Sequence, residues 1–256
     1  MAGLKGTNVK RIGHNDLEYL EKTLKETKDQ YQTRLVIIDG VYSQDGDLSL
    51  LPEIISLCKT HEAMLMLDDA HGIGVMGANG KGTAEHFNCL GQVDIITGTF
   101  SKSFGCVGGF AAASKKIIQY LKFYADSNVF SAAPTPQVTA SILKALEIIK
   151  KEPAIRARLW ENTDYLRSRL TTEGFDIGKS VSPIFPIMIR DNKKVYEIAK
   201  MLQEKGIFTI GIVYPAVRTK EARLRISVLA THEHEQLDAL INALNDINKD
   251  IKIKKE

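Results

Sequence analysis

The sequence lacks several features that would assign it to a class of protein at once. No run of about 20 apolar residues occurs in its 256 residues, so we expect no membrane-spanning helix. The formal net charge of +3 is too small to predict a nucleic-acid or membrane-surface partner. The three cysteines, Cys58, Cys89 and Cys106, share no metal-ligand spacing. We expect them to be buried thiols in a reducing cytoplasm, with no resident metal.

Nothing at the start of the chain resembles a targeting segment, since the stretch Met1 to Gly6 has no apolar core of a signal peptide. The rest has the composition of an ordinary globular protein, with 44% hydrophobic and 25% charged residues. A chain of this length can bury the core of one large domain or of two modest ones.

Short apolar runs alternate with helical patterns over the first 150 residues. This alternation predicts a mostly parallel sheet covered by helices. The predicted strands are 34–39, 63–68, 94–98 and 109–113, each interpreted as a buried strand. The predicted helices begin at Asp16, acting as N-cap, and include 51–61, 115–125, 136–151 and 153–172.

The pattern changes after residue 150, where shorter strands are predicted. They are 185–189, 208–210 and 224–228, with helices at 194–205 and 233–247. We therefore predict an α/β large domain over residues 1–150 and a smaller α+β domain over residues 151–256.

Polar side chains follow three of the predicted strands. Ser43 follows the first, Asp68 and His71 follow the second, and the stretch from Thr99 to Lys102 follows the third. Ligands of open α/β sheets bind at the carboxyl ends of strands, so these groups could converge in one crevice. Lys102 lies between two predicted strands, among hydroxyls and glycines, which is unusual for a solubilising lysine. We interpret it as the reactive centre.

A lysine with a lowered pKa forms a Schiff base with an aldehyde, and pyridoxal phosphate supplies such an aldehyde. A carboxylate that faces the ring nitrogen keeps it protonated, a role that suits Asp68. Hydroxyls near the lysine suit the cofactor phosphate, and Thr99 and Ser101 are the candidates. These residue types predict pyridoxal 5′-phosphate as the cofactor.

The stretch Gly72 to Gly77 also matches the G-x-G-x-x-G pattern of dinucleotide sites. Such a site needs the glycines to leave a strand directly and to open a helix. Here Asp69, Ala70 and His71 separate the predicted strand from the glycines, and the sequence after them is a poor helix start. We expect the glycines to let the loop pass close beside a cofactor.

Four blocks of sequence resemble one known family, the α-oxoamine synthases. The blocks are Asp39–Asp47, Leu67–Gly77, Gly98–Gly105 and Leu224–Ser227, and they occur in the family's order. The resemblance implies fold type I of the pyridoxal-phosphate enzymes. It also implies condensation of an amino acid with an acyl-CoA and loss of carbon dioxide.

The resemblance also implies roles around the cofactor. Lys102 would hold it and later move the Cα proton, and Asp68 would pair with the pyridine nitrogen. His71 would reach the ring hydroxyl, and Ser43 would lie beside the cofactor. 

Further roles concern the phosphate and the substrate. Thr99 would bind the phosphate, and Ser131 matches a segment that reaches it across a homodimer. Arg225 would clamp the carboxylate of the amino acid.

The blocks around Lys102 and residues 80–86 are most similar to the family members that use serine for sphingoid bases. Sister synthases that make 2-amino-3-ketobutyrate, 8-amino-7-oxononanoate or 5-aminolevulinate remain open. The resemblance also implies that an N-terminal segment of the family sequence is missing here. A non-catalytic remnant, a subunit of a split enzyme and an ordinary aminotransferase therefore remain alternatives.

Overall fold

The structure is a computed structural model that describes residues 8–254. The stretch Met1 to Gly6, for which no signal peptide is predicted, lies outside these residues. The described chain forms two compact units. The first unit comprises residues 8–41 and 49–151, and the second comprises residues 42–48 and 152–254.

The first unit is built on a four-stranded sheet in the order β1-β2-β3-β4. Strands β1 to β3 are parallel, and β4 pairs antiparallel with β3, so the predicted mostly parallel α/β sheet is confirmed. The strands lie within one residue of their predicted positions. They are β1 (Leu35–Asp39), β2 (Met64–Asp68), β3 (Ile95–Thr99) and β4 (Gly109–Ala113).

Helices connect and flank these strands. Asp16 caps the first helix as predicted, because its carboxylate accepts the backbone N–H of Tyr19 at 2.9 Å. Apolar side chains of α1 and α2 pack on β2 and form the core, with Leu51 and Leu67 fully buried. The helices are α1 (Leu17–Glu26), α2 (Leu51–Thr60), α3 (Thr83–His86), α4 (Lys115–Tyr124), α5 (Asp126–Val129) and α6 (Pro136–Lys151).

Strand β1 differs from its prediction. The apolar run predicts burial on both faces, but Leu35 is 43% exposed and Ile37 is 50% exposed. Both side chains point to the same face because residues two apart alternate together along a strand. Within residues 8–254, β1 is an edge strand and this face has no complete cover, so the prediction was wrong for β1.

The second unit is a three-stranded antiparallel sheet in the order β5-β7-β6, with three helices. Its core includes Phe185, Leu224 and Ile241, each with no exposed surface. The predicted smaller α+β fold matches this architecture. The elements are α7 (Pro153–Thr172), β5 (Ile184–Met188), α8 (Asn192–Glu204), β6 (Ile210–Ile212), β7 (Arg223–Ser227) and α9 (His234–Asp250).

The loop that follows β1 belongs to the second unit. The backbone N–H of Val181 donates to the carbonyl of Gly46 at 3.1 Å. Gly46 has a φ of +71°, and a Cβ there would lie 2.1 Å from the carbonyl oxygen of Ile184. Only glycine therefore permits this close approach of two backbone segments.

The three cysteines are unpaired thiols. Cys58 and Cys89 are buried as expected, whereas Cys106 is only half-buried. Burial raises the pKa of the Cys58 thiol to about 11. Among residues 8–254, no helix has both the length and the apolar character needed to cross a membrane.

Replacement of Leu224 with alanine tests the core of the second unit. The side chain has no exposed surface on the central strand β7, so we expect a loss of about 2–5 kcal/mol in the free energy of unfolding. Urea denaturation measures the change. Leu229, which is 54% exposed just after the strand, provides the matched control. An equal effect of Leu229→Ala and Leu224→Ala would contradict this account of the core.

Candidate functional site

The carboxyl ends of three parallel strands bring polar residues to one edge of the first sheet. Asp39 is in register with Asp68, and Asp68 is in register with Thr97, so β1 and β2 end side by side and β3 continues for two more residues. Their final residues are Asp39, Asp68 and Thr99. We call these three residues, together with Ser101 and Lys102, the strand-end cluster.

Asp68 is half-buried at the centre of this edge. Its Oδ1 accepts the backbone N–H of Ala70 at 3.0 Å, which fixes the carboxylate and starts the following turn. Within the described chain, the Asp68 carboxylate accepts no other hydrogen bond, which leaves Oδ2 as an acceptor for a ligand N–H. His71 lies three residues after Asp68 in the same turn and is also half-buried.

Thr99 and Ser101 place two hydroxyls together at the end of β3. Their oxygens are 2.8 Å apart, and the backbone N–H of Ser101 donates to Thr99 Oγ1 at 3.2 Å. The Thr99 hydroxyl also donates to the carbonyl of Gly108 at 3.2 Å, where the chain turns back into β4. Two adjacent hydroxyls and a backbone N–H are groups that can donate hydrogen bonds to a phosphate.

Lys102 lies on the turn between β3 and β4, and its side chain is exposed. The turn is closed by backbone hydrogen bonds, from Gly105 N–H to the Lys102 carbonyl at 2.9 Å and from Cys106 N–H to the Phe100 carbonyl at 2.7 Å. Phe104 is buried and packs edge-to-face on Phe100. These hydrogen bonds and the packing of Phe104 hold the turn in place, and the lysine side chain is on its exposed side.

Asp39 is a member of the cluster that the sequence analysis did not single out. Burial raises the pKa of its carboxyl, and the neighbouring Asp68 raises it further, whereas the charge of Lys102 lowers it. Asp39 therefore interacts electrostatically with both Asp68 and Lys102. The sequence carried a signal for Asp39, because it ends an apolar run on an acid just as Asp68 does.

Ser43 and Arg225 lie in the second unit, where they contact each other. Arg225 Nε donates to the carbonyl of Ser43 at 2.6 Å. Two residues earlier on the same face of β7, Arg223 is 4% exposed and forms an ion pair with Asp45. Arg225 has no ion pair with any residue of the described chain, and burial lowers its pKa. Its terminal nitrogens are therefore suited to an anion that comes from outside.

The glycines of the G-x-G-x-x-G stretch make room for protein side chains. A Cβ on Gly72 would lie 2.0 Å from Asp69 Oδ1, and one on Gly74 would lie 2.6 Å from Ser103 Cβ. A Cβ on Gly77 would lie 2.4 Å from Glu85 Oε2. These contacts show that glycine is required for packing against neighbouring side chains, and a close approach of the loop to a cofactor stays a prediction.

Ser131 lies on an exposed turn directly after α5. Within residues 8–254 its side chain makes no hydrogen bond.

The sequence and the fold of the chain are both similar to those of known proteins. A family model for aminotransferase class I and II matches residues 1–244. The chain belongs to this family. Its similarity to serine palmitoyltransferases and 8-amino-7-oxononanoate synthases confirms the resemblance to the α-oxoamine synthases.

Two curated relatives illustrate the match. Serine palmitoyltransferase from Sphingobacterium spiritivorum is 42% identical over 250 residues, which are 98% of this chain and 62% of the relative. The 8-amino-7-oxononanoate synthase from Thermoanaerobacter pseudethanolicus is 42% identical over 240 residues, covering 94% of this chain and 61% of the relative. This chain thus spans about three fifths of the length of these relatives.

A solved structure of SPT with a PLP internal aldimine has the same fold. It superposes with a TM-score of 0.89 at 30% sequence identity, over 94% of this chain and 61% of that chain. The α/β fold of fold-type-I pyridoxal-phosphate enzymes is thereby confirmed for the chain.

Asp39→Asn tests the electrostatics of the cluster. A raised pKa in the folded state means that protonation of Asp39 favours folding, and this contribution is lost as the pH rises above the ordinary value of 3.8. We expect the variant to match the wild type in acid and to gain unfolding free energy relative to it towards neutral pH. Urea titrations at several pH values measure this difference. A difference independent of pH, or one shared by the control Asp29→Asn on the exposed surface, would contradict the assignment.

Proposed function

We propose that this chain carries the reactive lysine of a pyridoxal-phosphate-dependent acyltransferase. The proposed reaction condenses an amino acid with an acyl-CoA. A C–C bond forms between the acyl carbon and the amino acid Cα as the thioester C–S bond breaks and CoA leaves as its thiol. The bond between Cα and the carboxylate then breaks, carbon dioxide is released, and a proton takes its place to give a 2-amino ketone. The observation that carries the proposal is the strand-end cluster. In it the charge of Lys102 acts on the half-buried Asp39, which is in register with Asp68, in a chain similar to such acyltransferases.

The residues of the cluster fit pyridoxal phosphate. Asp68 Oδ2 is available to accept a ring N–H. The Thr99 and Ser101 hydroxyls lie together close to Lys102 in the sequence, and a bound phosphate would compete with the Gly108 carbonyl for the Thr99 proton. When bound, the cofactor supplies an aldehyde for a lysine amine and an electron sink for a developing carbanion. A carboxylate, paired hydroxyls and an exposed lysine at one sheet edge are the donor set that this cofactor needs.

The residues at this edge of the sheet then have proposed roles. Lys102 Nζ holds the cofactor and afterwards takes the proton from the amino acid Cα. Asp68 keeps the ring nitrogen protonated, and His71 donates to the ring hydroxyl. Thr99 and Ser101 hold the phosphate.

Two further residues have proposed roles beside the cofactor. Ser43 lies next to it. Ser131 reaches the phosphate of the second subunit in a homodimer.

Arg225 is proposed to bind the carboxylate of the amino acid. A guanidinium can donate two parallel hydrogen bonds to a carboxylate, which orients the substrate as well as holding it. The contrast with Arg223 supports this assignment, since Arg223 is committed to Asp45 while Arg225 donates only to a backbone carbonyl.

The substrates proposed first are L-serine and palmitoyl-CoA, as in sphingoid base synthesis. The name of one relative, serine palmitoyltransferase, supports this choice. A second candidate is supported equally, because an 8-amino-7-oxononanoate synthase has the same 42% identity. The product in that name corresponds to L-alanine and pimeloyl-CoA by the same decarboxylating condensation.

The proposal also includes a division into domains and a cellular compartment. We assign residues 1–150 to a cofactor-binding large domain and residues 151–256 to a small domain, with the exception that the loop of residues 42–48 belongs to the second unit. Three unpaired cysteines support a reducing cytoplasm.

Release of CoA thiol tests the proposed function. The purified chain with pyridoxal phosphate is supplied with L-serine and palmitoyl-CoA, or with L-alanine and pimeloyl-CoA, and thiol release is followed with a chromogenic disulfide. We expect release that requires both substrates, with the serine pair preferred. Amino transfer to a 2-oxo acid without CoA release would instead identify an aminotransferase. Absence of both reactions would contradict activity of this chain alone.

Arg225→Ala provides the specificity arm of this assay. Loss of a charge-assisted pair should raise the KM for the amino acid by about tenfold to a hundredfold. The KM for the acyl-CoA should stay nearly constant. Lys220→Ala, at an exposed position of the same unit, controls for the loss of a positive charge.

A further inference from the structure

A buried carboxylate lies directly beside the cluster and takes no part in the roles above. Asp69 has no exposed surface, and neither has Thr83, fourteen residues later. Asp69 Oδ2 accepts the backbone N–H of Thr83 at 2.7 Å, and Oδ1 accepts the Thr83 hydroxyl at 2.6 Å. We call this pair of hydrogen bonds the Asp69–Thr83 clasp. It closes the loop of residues 69–83.

Three glycines leave the space that the clasp occupies. A Cβ on Gly40 or Gly72 would lie 2.5 or 2.0 Å from Asp69 Oδ1. A Cβ on Gly82 would lie 1.9 Å from Oδ2. The space is therefore shaped for a short carboxylate, and the longer side chain of glutamate would not fit without moving the backbone.

The backbone of Asp69 links the clasp to the cluster. Its N–H donates to the carbonyl of Thr97 at 2.8 Å, which holds the end of β2 against β3. Its carbonyl accepts the N–H groups of Gly72 and Ile73, both at 3.0 Å, and forms the turn that contains His71. Asp68 precedes Asp69 directly, so the clasp restricts the positions of Asp68 and His71, which are both proposed to contact the cofactor.

The other side of the loop is tied to the turn of the reactive lysine. The Ser103 hydroxyl donates to the carbonyl of Ile73 at 2.7 Å. Gly74 has a φ of +82° and no side chain, and this permits the approach, because a Cβ would lie 2.6 Å from Ser103 Cβ. Ser103 is adjacent to Lys102, so the loop that follows Asp68 also contacts the turn that carries the lysine.

We propose that Asp69 is a positioning residue, which clasps the loop through Thr83 and thereby fixes Asp68 and His71 relative to Lys102. The inference rests on the proposed function for its catalytic meaning. The coupling between the two segments is a property of the loop itself and can be measured without cofactor or substrate.

The charge of Asp69 supports this role. Burial raises its pKa to about 6, against the lowering effect of the Thr83 hydrogen bonds, and the charge of Asp68 adds to the increase. Burial therefore disfavours the charged form of Asp69, and keeping this carboxylate buried lowers the folding stability. Such a cost is expected where a group fixes a functional geometry.

Hydrogen exchange of the chain without cofactor tests the coupling. Thr83→Val removes the hydroxyl donor and leaves Asp69 Oδ1 unpaired. We expect exchange to rise about tenfold or more both in peptides of the 69–83 loop and in peptides of the 99–108 turn. Thr83→Ser retains the hydroxyl and should restore protection. Asp69→Asn should retain much of it, because the amide can donate to the Thr83 hydroxyl and accept from the backbone N–H.

Two further variants separate local from general effects. Ser103→Ala, on the exposed turn, should loosen residues 99–108 while leaving 69–83 protected. Thr163 is equally buried in the second unit and donates to the Leu159 carbonyl at 2.6 Å, so Thr163→Val controls for loss of a buried hydroxyl. It should leave both segments of the first unit protected.

The outcomes distinguish this inference from the proposed function. Opening of the loop in Thr83→Val without change in residues 99–108 would overturn the coupling, as would unchanged exchange in both. In the CoA-release assay, Thr83→Val should lower kcat at least tenfold with an unchanged KM for the amino acid. If the variants show coupled exchange but the wild-type chain releases no CoA, the proposed function is refuted and the inference about the clasp stands.

Discussion

The register of three parallel strands is the constraint on which the proposed site depends. Because Asp39 pairs with Asp68 and Asp68 with Thr97, the three strands end within two residues of one another and their last polar side chains lie at one edge of the sheet. A shift of one residue in any strand would turn its final side chain to the other face of the sheet. The site is thus a consequence of sheet geometry, and the apolar runs that fix the register also place the chemistry.

Charge within each unit is divided between paired and unpaired groups. Arg223 is committed to Asp45 and holds the loop of residues 42–48, while Arg225 keeps its terminal nitrogens for a ligand. Likewise, both carboxylate oxygens of Asp69 accept hydrogen bonds from Thr83, while one carboxylate oxygen of Asp68 accepts none. In both pairs a buried structural partner lies beside a half-buried functional candidate, so the unpaired group is held in place without being neutralised.

Most of the fold could be predicted because periodicity and strand-end acids are local signals. The helices Pro136–Lys151 and Pro153–Thr172 have the predicted bounds, since proline marks the start of each. Exposure of Leu35 and Ile37 could not be predicted, because burial of a strand face depends on what covers it. The clasp also escaped prediction, as its hydrogen bonds join residues fourteen apart through a loop that has no periodic pattern.

The identity of the lysine that binds pyridoxal phosphate tests the central claim most directly. The chain is mixed with the cofactor, reduced with borohydride, digested and mapped by mass spectrometry. The account predicts a phosphopyridoxyl group on the peptide that contains Lys102, abolished in Lys102→Ala and retained in Lys116→Ala, which removes an exposed lysine from α4. A label on another lysine, or a label that persists in Lys102→Ala, would contradict the assignment of Lys102 as the reactive centre.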